Sequence, residues 1–205
     1  VLESFLRLSE KELLMDYRNL TTEEVKQLNA NGCSSENWNN VKVSEKFDPQ
    51  KISNTIFFGE VYIGNNVRLR NVYSLSNYVI EDEVVLENVS SITTEGESTF
   101  GNGTKLSVLN EGGGRELMMF DKLSAQVAYM LVTCRHDNAF VEKLESIIEQ
   151  YAVTRKASIG KIGKAPSIKN CATIKNVCIE QSAKIEGATN LSEGTILSSI
   201  FDPVH

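Results

Sequence analysis

Several features that usually point to a function are scarce or missing in this sequence. Histidine occurs twice in 205 residues, as His136 and His205, so any mechanism that needs an imidazole base has one internal candidate. The four cysteines, Cys33, Cys134, Cys171 and Cys178, form no CxxC pair, and neither histidine has a second ligand at metal-site spacing. That excludes the common zinc patterns and, at this length, a disulfide scaffold. Reduced thiols in a cytoplasmic protein are the expectation. No apolar run approaches 18 residues, so no membrane-spanning helix is expected. Val1 to Arg18 carries charges throughout and has no signal-peptide pattern. Basic residues are outnumbered 21 to 27, for a net charge of −6, the opposite of the balance a general nucleic-acid binder shows. The remainder, 41% hydrophobic and 23% charged, has the composition of one globular domain, alone or with small appendages.

The strongest signal is a repeat. From Phe57 an apolar residue returns about every six positions, through Ile63, Leu69, Leu75, Ile80, Leu86, Ile92, Phe100 and Leu106. A second series runs Ile162, Ile168, Ile174, Ile179, Ile185, Leu191 and Leu197. The two superpose at an offset of 99 residues, with one five-residue step in the same place, and Asn71 and Asn77 land on Asn170 and Asn176. A period of six fits neither a helix nor a flat alternating strand. Two residues after each anchor stands Asn, Asp or Gly in most hexads, for example Gly59, Asn65, Asn71, Asn77, Asp82 and Asn88. These residue types tolerate left-handed corners. Each hexad therefore reads as a short strand with an inward anchor and a corner. Three hexads close one triangular coil, and stacked coils bury the anchors, with backbone bonding between coils about 4.8 Å apart.

This pattern resembles the hexapeptide-repeat family, whose members fold as left-handed parallel β-helices. The resemblance covers 57–109 and 162–199. It implies that fold, and it leaves activity open among acyltransferases, tails of sugar nucleotidyltransferases, carbonic-anhydrase-like proteins and binding proteins.

Outside the repeat, Thr21-Thr22-Glu23-Glu24 starts a helix that Gly32 can end, with Leu20, Val25 and Leu28 as its apolar stripe. Phe120, Leu123, Val127, Leu131 and Cys134 form one helical face. Phe140, Val141, Leu144, Ile147, Ile148 and Tyr151 form another, with Asp137 or Asn138 as its cap. The organisation expected is a helical and irregular cap over 1–50, a first part of the β-helix over 51–115, a helical hairpin insertion over 116–157, and a second part over 158–205. Long insertions in a regular scaffold are where binding tends to sit.

Asn110-Glu111-Gly112-Gly113-Gly114-Arg115 lies where the rhythm breaks. Its glycines permit close ligand approach, and Glu111 and Arg115 offer an acceptor and a forked donor. An anion or sugar pocket and a plain flexible joint both fit. His136, between Arg135 and Asp137, is the candidate general base, and it also fits a surface or capping role. Charge is uneven. Residues 81–98 hold six acidic groups and no base, whereas 155–184 hold seven basic groups, Lys161 and Lys164 among them, against Glu180. A basic wall can hold phosphates, or it can face the acidic wall of a neighbouring coil or subunit.

Three stretches, Tyr17-Arg18-Asn19-Leu20-Thr21 with Glu23-Glu24, Asn110 to Glu116, and Leu123-Ser124-Ala125-Gln126 leading to Arg135-His136, resemble the bacterial domain of unknown function 4954. Members are longer than 205 residues and are described as β-helical and acetyltransferase-like. This likeness strengthens the architecture and draws Asn110, Glu111, Arg115, Arg135 and His136 together as one candidate cluster, while the resemblance to hexapeptide acyltransferases implies a coenzyme A thioester as donor and a sugar or nucleotide-sugar as acceptor. His136 would then be the base. Asn110, Glu111, Arg115 and Arg135 would hold the acceptor, and Lys161 and Lys164 the donor's phosphates. A non-catalytic sugar-binding module and a trimeric scaffold are the rival expectations.

Overall fold

The computed structural model describes residues 17–107 and 116–205. It is mainly β, with parallel strands stacked in a closed winding. The principal strands are β4 (Ile52–Ile63), β5 (Arg68–Ile80), β6 (Val85–Thr93) and β10 (Ser167–Ile179), which pair in that order. Short strands complete the turns: β9 (Gly160–Ile162), β11 (Lys184–Glu186) and β12 (Asn190–Ile196).

Register explains the period. Ile52 pairs with Leu69, Leu69 with Leu86, Leu86 with Ile168 and Ile168 with Ile185. A second line runs Phe57, Leu75, Ile92, Ile174 and Leu191, and a third holds Ile63, Ile80, Ile162, Ile179 and Ile196. One strand such as β5 contributes Leu69, Leu75 and Ile80 to all three lines, so it must bend twice. Steps of six, five and six residues make one turn of seventeen. These anchors share a single core, and all but those of the last turn are buried. At about 1.5–3 kcal/mol for each fully buried aliphatic side chain, this column is the main source of cohesion.

The corners are held by left-handed residues. Asn54, Asn71, Asn88 and Asn170 have φ of 48°, 56°, 54° and 54°. Their amides form a ladder, each Nδ2 donating to the next Oδ1 at 3.0, 2.8 and 3.0 Å. The Asn column therefore serves twice: it lowers the cost of the left-handed backbone and bonds turn to turn. At the corner after Ile63 the expectation fails by one residue. Asn66 and Glu83, rather than Asn65 and Asp82, carry positive φ. Asp82 Oδ1 instead accepts from the Asn65 backbone N–H at 2.7 Å.

The two repeat stretches prove to be one winding. Asn88 and Asn170 are 82 residues apart, yet bond as Asn54 and Asn71 do at a separation of 17. The chain leaves after β6 and returns at β9, where Ile162 completes the turn begun by Leu86 and Ile92. Three expected anchors are displaced. Phe100 is buried, but it lies outside the three lines and has φ of 52°. Leu106 lies 41% exposed in β7 (Lys105–Leu106), which pairs antiparallel with β8 (Leu117–Met118). Leu197 is 55% exposed because the step from the second to the third line is five residues, which puts Ile196 at the anchor position.

Near the start, β1 (Arg18–Asn19) pairs antiparallel with β3 (Val41–Val43), and β2 (Ser34–Ser35) and β3 add parallel to β4. Helix α1 (Thr22–Ala30) has Thr21 and Glu24 as a capping box and buries Leu28 completely in the core of the winding. Arg18 reinforces the box, its guanidinium donating to both Glu24 carboxylate oxygens at 2.9 and 2.7 Å.

Candidate functional site

The excursion between β6 and β9 carries the proposed chemistry, and its neck is tightly closed. Ser98 and Ala157 exchange two backbone hydrogen bonds at 2.9 Å. Beyond the neck, α2 (Ala125–Thr133) starts on Ser124 and α3 (Asn138–Thr154) on Asp137, whose Oδ1 accepts from Phe140 N–H at 3.0 Å. Leu117, Met118, Leu131, Val141 and Ile148 form a second small core, so the excursion packs on itself. Phe140 and Ile147, expected on the buried stripe of α3, are 39% and 52% exposed.

Arg135 and His136 lie in the short 3-10 turn Cys134–His136 between the helices. Arg135 is half-buried and holds two backbone carbonyls. Its Nε donates to Leu131 O at 2.7 Å, satisfying a carbonyl at the end of α2, and its Nη2 donates to Glu116 O. The guanidinium thus ties the helix turn to the residue that follows the glycine-rich segment. His136 is exposed, and no described residue hydrogen-bonds its imidazole. Asn110, Glu111 and Arg115 lie outside the described residues.

Lys161 and Lys164 belong to the winding. Lys161 Nζ sits 2.7 Å from Glu81, whereas Lys164 is exposed. Lys161 is one of four cations that answer the acidic stretch: Lys156 meets Glu97 at 2.6 Å, Lys169 meets Glu87 at 3.1 Å and Lys175 meets Glu95 at 2.5 Å. Of the two readings of the uneven charge, pairing between neighbouring turns accounts for Lys161, Lys169 and Lys175, and Lys156 pairs across the neck. They span the point where the excursion rejoins the winding.

Three features have no periodic signature in the sequence. Asp121, with a side chain 6% exposed, accepts from the Tyr151 hydroxyl at 2.5 Å and pairs with Arg155 Nε at 3.1 Å. Burial, and then the Asp121 carboxylate, push the Tyr151 phenol up to about 12. This cluster fastens α3 to the loop before α2. Tyr78 is fully buried inside the winding, and its hydroxyl meets Val177. Finally, a shallow groove of about 430 Å³ lies beside the neck, lined by Phe58, Ser74, Ser76, Asn77, Thr93 and Glu95 among others. The four cysteines are separate free thiols; burial pushes Cys178 up to about 11. Among the described residues no group of His, Cys, Asp and Glu side chains is arranged to hold a metal, and no helix is long and apolar enough to cross a membrane.

The class defined by this geometry is a mainly β protein with a closed parallel winding broken by a helical excursion. The chain belongs to the family described as domain of unknown function (DUF4954), whose model matches residues 17–74 and 60–205. A protein of Treponema pallidum (strain Nichols) described as uncharacterized is 26% identical over 242 residues; the alignment covers 98% of this chain and 33% of that protein. The chain thus spans about a third of the length of this relative. No solved structure matches it.

Proposed function

We propose that this chain is a left-handed parallel β-helix of the hexapeptide-repeat kind, carrying an acyltransferase-like site for a sugar or nucleotide-sugar on its helical excursion. The three anchor lines and the asparagine corners support the fold reading. For the site, the observation that carries the proposal is the grip of Arg135 on the Glu116 carbonyl, which keeps the turn that holds the exposed His136 close to the start of β8. In this reading His136 takes the proton of the acceptor hydroxyl, Asn110, Glu111 and Arg115 hold the acceptor, and Lys164 meets phosphates of a coenzyme A thioester. Lys161 joins Lys164 only by leaving Glu81. Free thiols suit a reducing, cytoplasmic setting. Acyl transfer from acetyl-coenzyme A to a panel of nucleotide sugars, wild type against His136→Ala, tests it. At least a hundredfold loss of rate is expected, and equal rates remove His136 from the chemistry.

A second reading, a non-catalytic sugar-binding module or trimeric scaffold, is favoured by one observation: no described group orients the His136 imidazole, whereas general bases are normally held in place by a partner. Saturable binding of a nucleotide sugar without turnover is the result that selects it.

A further inference from the structure

The outer faces of the winding differ in chemistry. The face that carries the anchors Leu69, Leu86 and Ile168 is charged, with Arg68, Arg70, Glu87 and Lys169 on its outside. The face that carries Leu75, Ile92, Ile174 and Leu191 is different. Ser74 and Ser76 flank Leu75, Ser91 and Thr93 flank Ile92, and every one of these four is half-buried. The register stacks Phe58, Ser76, Thr93, Lys175 and Ser192 in one column, and Ser91, Thr173 and Asn190 in the other. The single charge in these columns, Lys175, is met by Glu95. A requirement for solubility alone does not select hydroxyls, because the neighbouring face meets it with charge.

Among the described residues no hydrogen bond is made by the hydroxyls of Ser74, Ser76, Ser91 and Thr93. They form an array of groups that both donate and accept, on side chains that lose little rotamer entropy when held. The groove beside the excursion's neck lies on this face, with Phe58 and Glu95 among its lining residues. Successive rungs are about 4.8 Å apart, comparable to the length of one pyranose ring, so a glycan laid across the strands meets a fresh pair of hydroxyls at each ring. Charge complementarity sets the class: an uncharged face suits an uncharged ligand.

We propose that this face binds an extended, neutral oligosaccharide, with Ser74, Ser76 and Thr93 as hydrogen-bonding contacts and Phe58 as the apolar platform. The inference goes beyond acyl transfer and does not depend on His136. Titration of the full chain with cellohexaose, xylohexaose, chitohexaose and maltohexaose, followed by calorimetry and by amide chemical shifts, tests it. Expected is saturable binding of at least one of them, weakened at least tenfold by Thr93→Glu and by Phe58→Ala. The same charge placed on the other face, Ser53→Glu, should leave binding unchanged. Each variant is first shown to melt within a few degrees of the wild type; if Thr93→Glu does not, Phe58→Ala and Ser76→Asn carry the comparison. Absence of binding by all four hexasaccharides at millimolar concentration overturns the proposal. So does binding that survives the variants of this face. Failure here leaves the His136 reading standing, because that reading is judged on acyl transfer to nucleotide sugars.

Discussion

The Tyr78 hydroxyl donates to Val177 O at 2.8 Å and accepts from Val177 N–H at 3.2 Å, two turns away across the interior of the winding. Both groups belong to a backbone whose neighbouring turn is interrupted by the excursion. There β9 begins at Gly160, and of the β9 residues only Ile162 pairs with β10, opposite Ile179. A phenol therefore stands in for a missing strand residue, offering one donor and one acceptor where a peptide would offer the same. Tyr78→Phe removes both bonds and leaves the ring. Unsatisfied buried groups cost about 1–3 kcal/mol each, so Tyr78→Phe is expected to lower the unfolding free energy by about 2–4 kcal/mol in urea denaturation. A loss under about 0.5 kcal/mol would show that water reaches Val177 and that the phenol is not needed.

The same ring dictates glycine at position 160. A Cβ there would lie 2.5 Å from Tyr78 Cζ and 2.5 Å from Thr94 Oγ1. Gly160→Ala is expected to destabilise by about 1–3 kcal/mol through overpacking. The effect should shrink in a Tyr78→Leu background, where the ring is gone. Additive losses in the double variant would sever the proposed contact.

Burial pushes the Tyr78 phenol up to about 12 from its ordinary 10. A raised acid favours the neutral form in the fold, so the folded state holds its proton where the unfolded chain has released it. The stability it contributes is fully present below pH 10 and is lost progressively as pH rises from 10 towards 12. Tyr151, also held near 12, adds to the same limb. Thermal melts of wild type and Tyr78→Phe between pH 9 and 11.5 should converge as alkali removes what the hydroxyl contributes. Parallel curves would be the contrary outcome.

How much of this was legible beforehand depends on whether a feature repeats. Leu69, Leu86 and Ile168 announce themselves because each turn poses the same burial problem to the same position, and Asn71 and Asn170 because each corner poses the same backbone problem. The excursion's helices were legible from their apolar stripes and from Asp137. Tyr78, Gly160 and the Asp121–Tyr151–Arg155 cluster occur once each. They solve a problem created by the interruption, and no second copy exists to reveal them. Lys161 was ambiguous for another reason: a cation's partner is set by register between turns, and register places Glu81 beside it. Phe100, Leu106 and Leu197 leave the anchor lines because counting by six overruns wherever the winding takes a five-residue step or the chain departs.

The ion pairs that seam the rejoined winding are testable by charge reversal. Lys169 and Glu87 lie 3.1 Å apart, with side chains 41% and 22% exposed. Exposed pairs contribute about 0.2–1 kcal/mol each, so Lys169→Glu alone should destabilise by about 1 kcal/mol, most of it like-charge repulsion. Lys169→Glu with Glu87→Lys should restore stability to within about 0.5 kcal/mol, and the coupling should fade as salt shortens the screening length to about 3 Å at 1 M. Coupling that persists at high salt would point to packing of the side-chain stems in place of charge.

At the opposite end of the chain, a share of the acid sensitivity is expected to come from Glu24. The Arg18 guanidinium, bonded to both of its oxygens, is the main cause of its fall from 4.5 to about 2; hydrogen bonds from Thr21 assist and burial opposes. A lowered carboxyl contributes stability that is fully present above pH 4.5 and is lost as pH falls towards 2. Arg18 is 37% exposed, so solvent screening limits the contribution to about 1–2 kcal/mol. Arg18→Met should therefore lower stability at pH 7 by that amount and flatten the decline between pH 4.5 and 2. Because α1 buries Leu28 in the same core as Ile52, loosening its capping box should also speed exchange of the amide protons of β4 over those of β10. Uniform exchange in both strands would show that the helix end and the winding are not coupled.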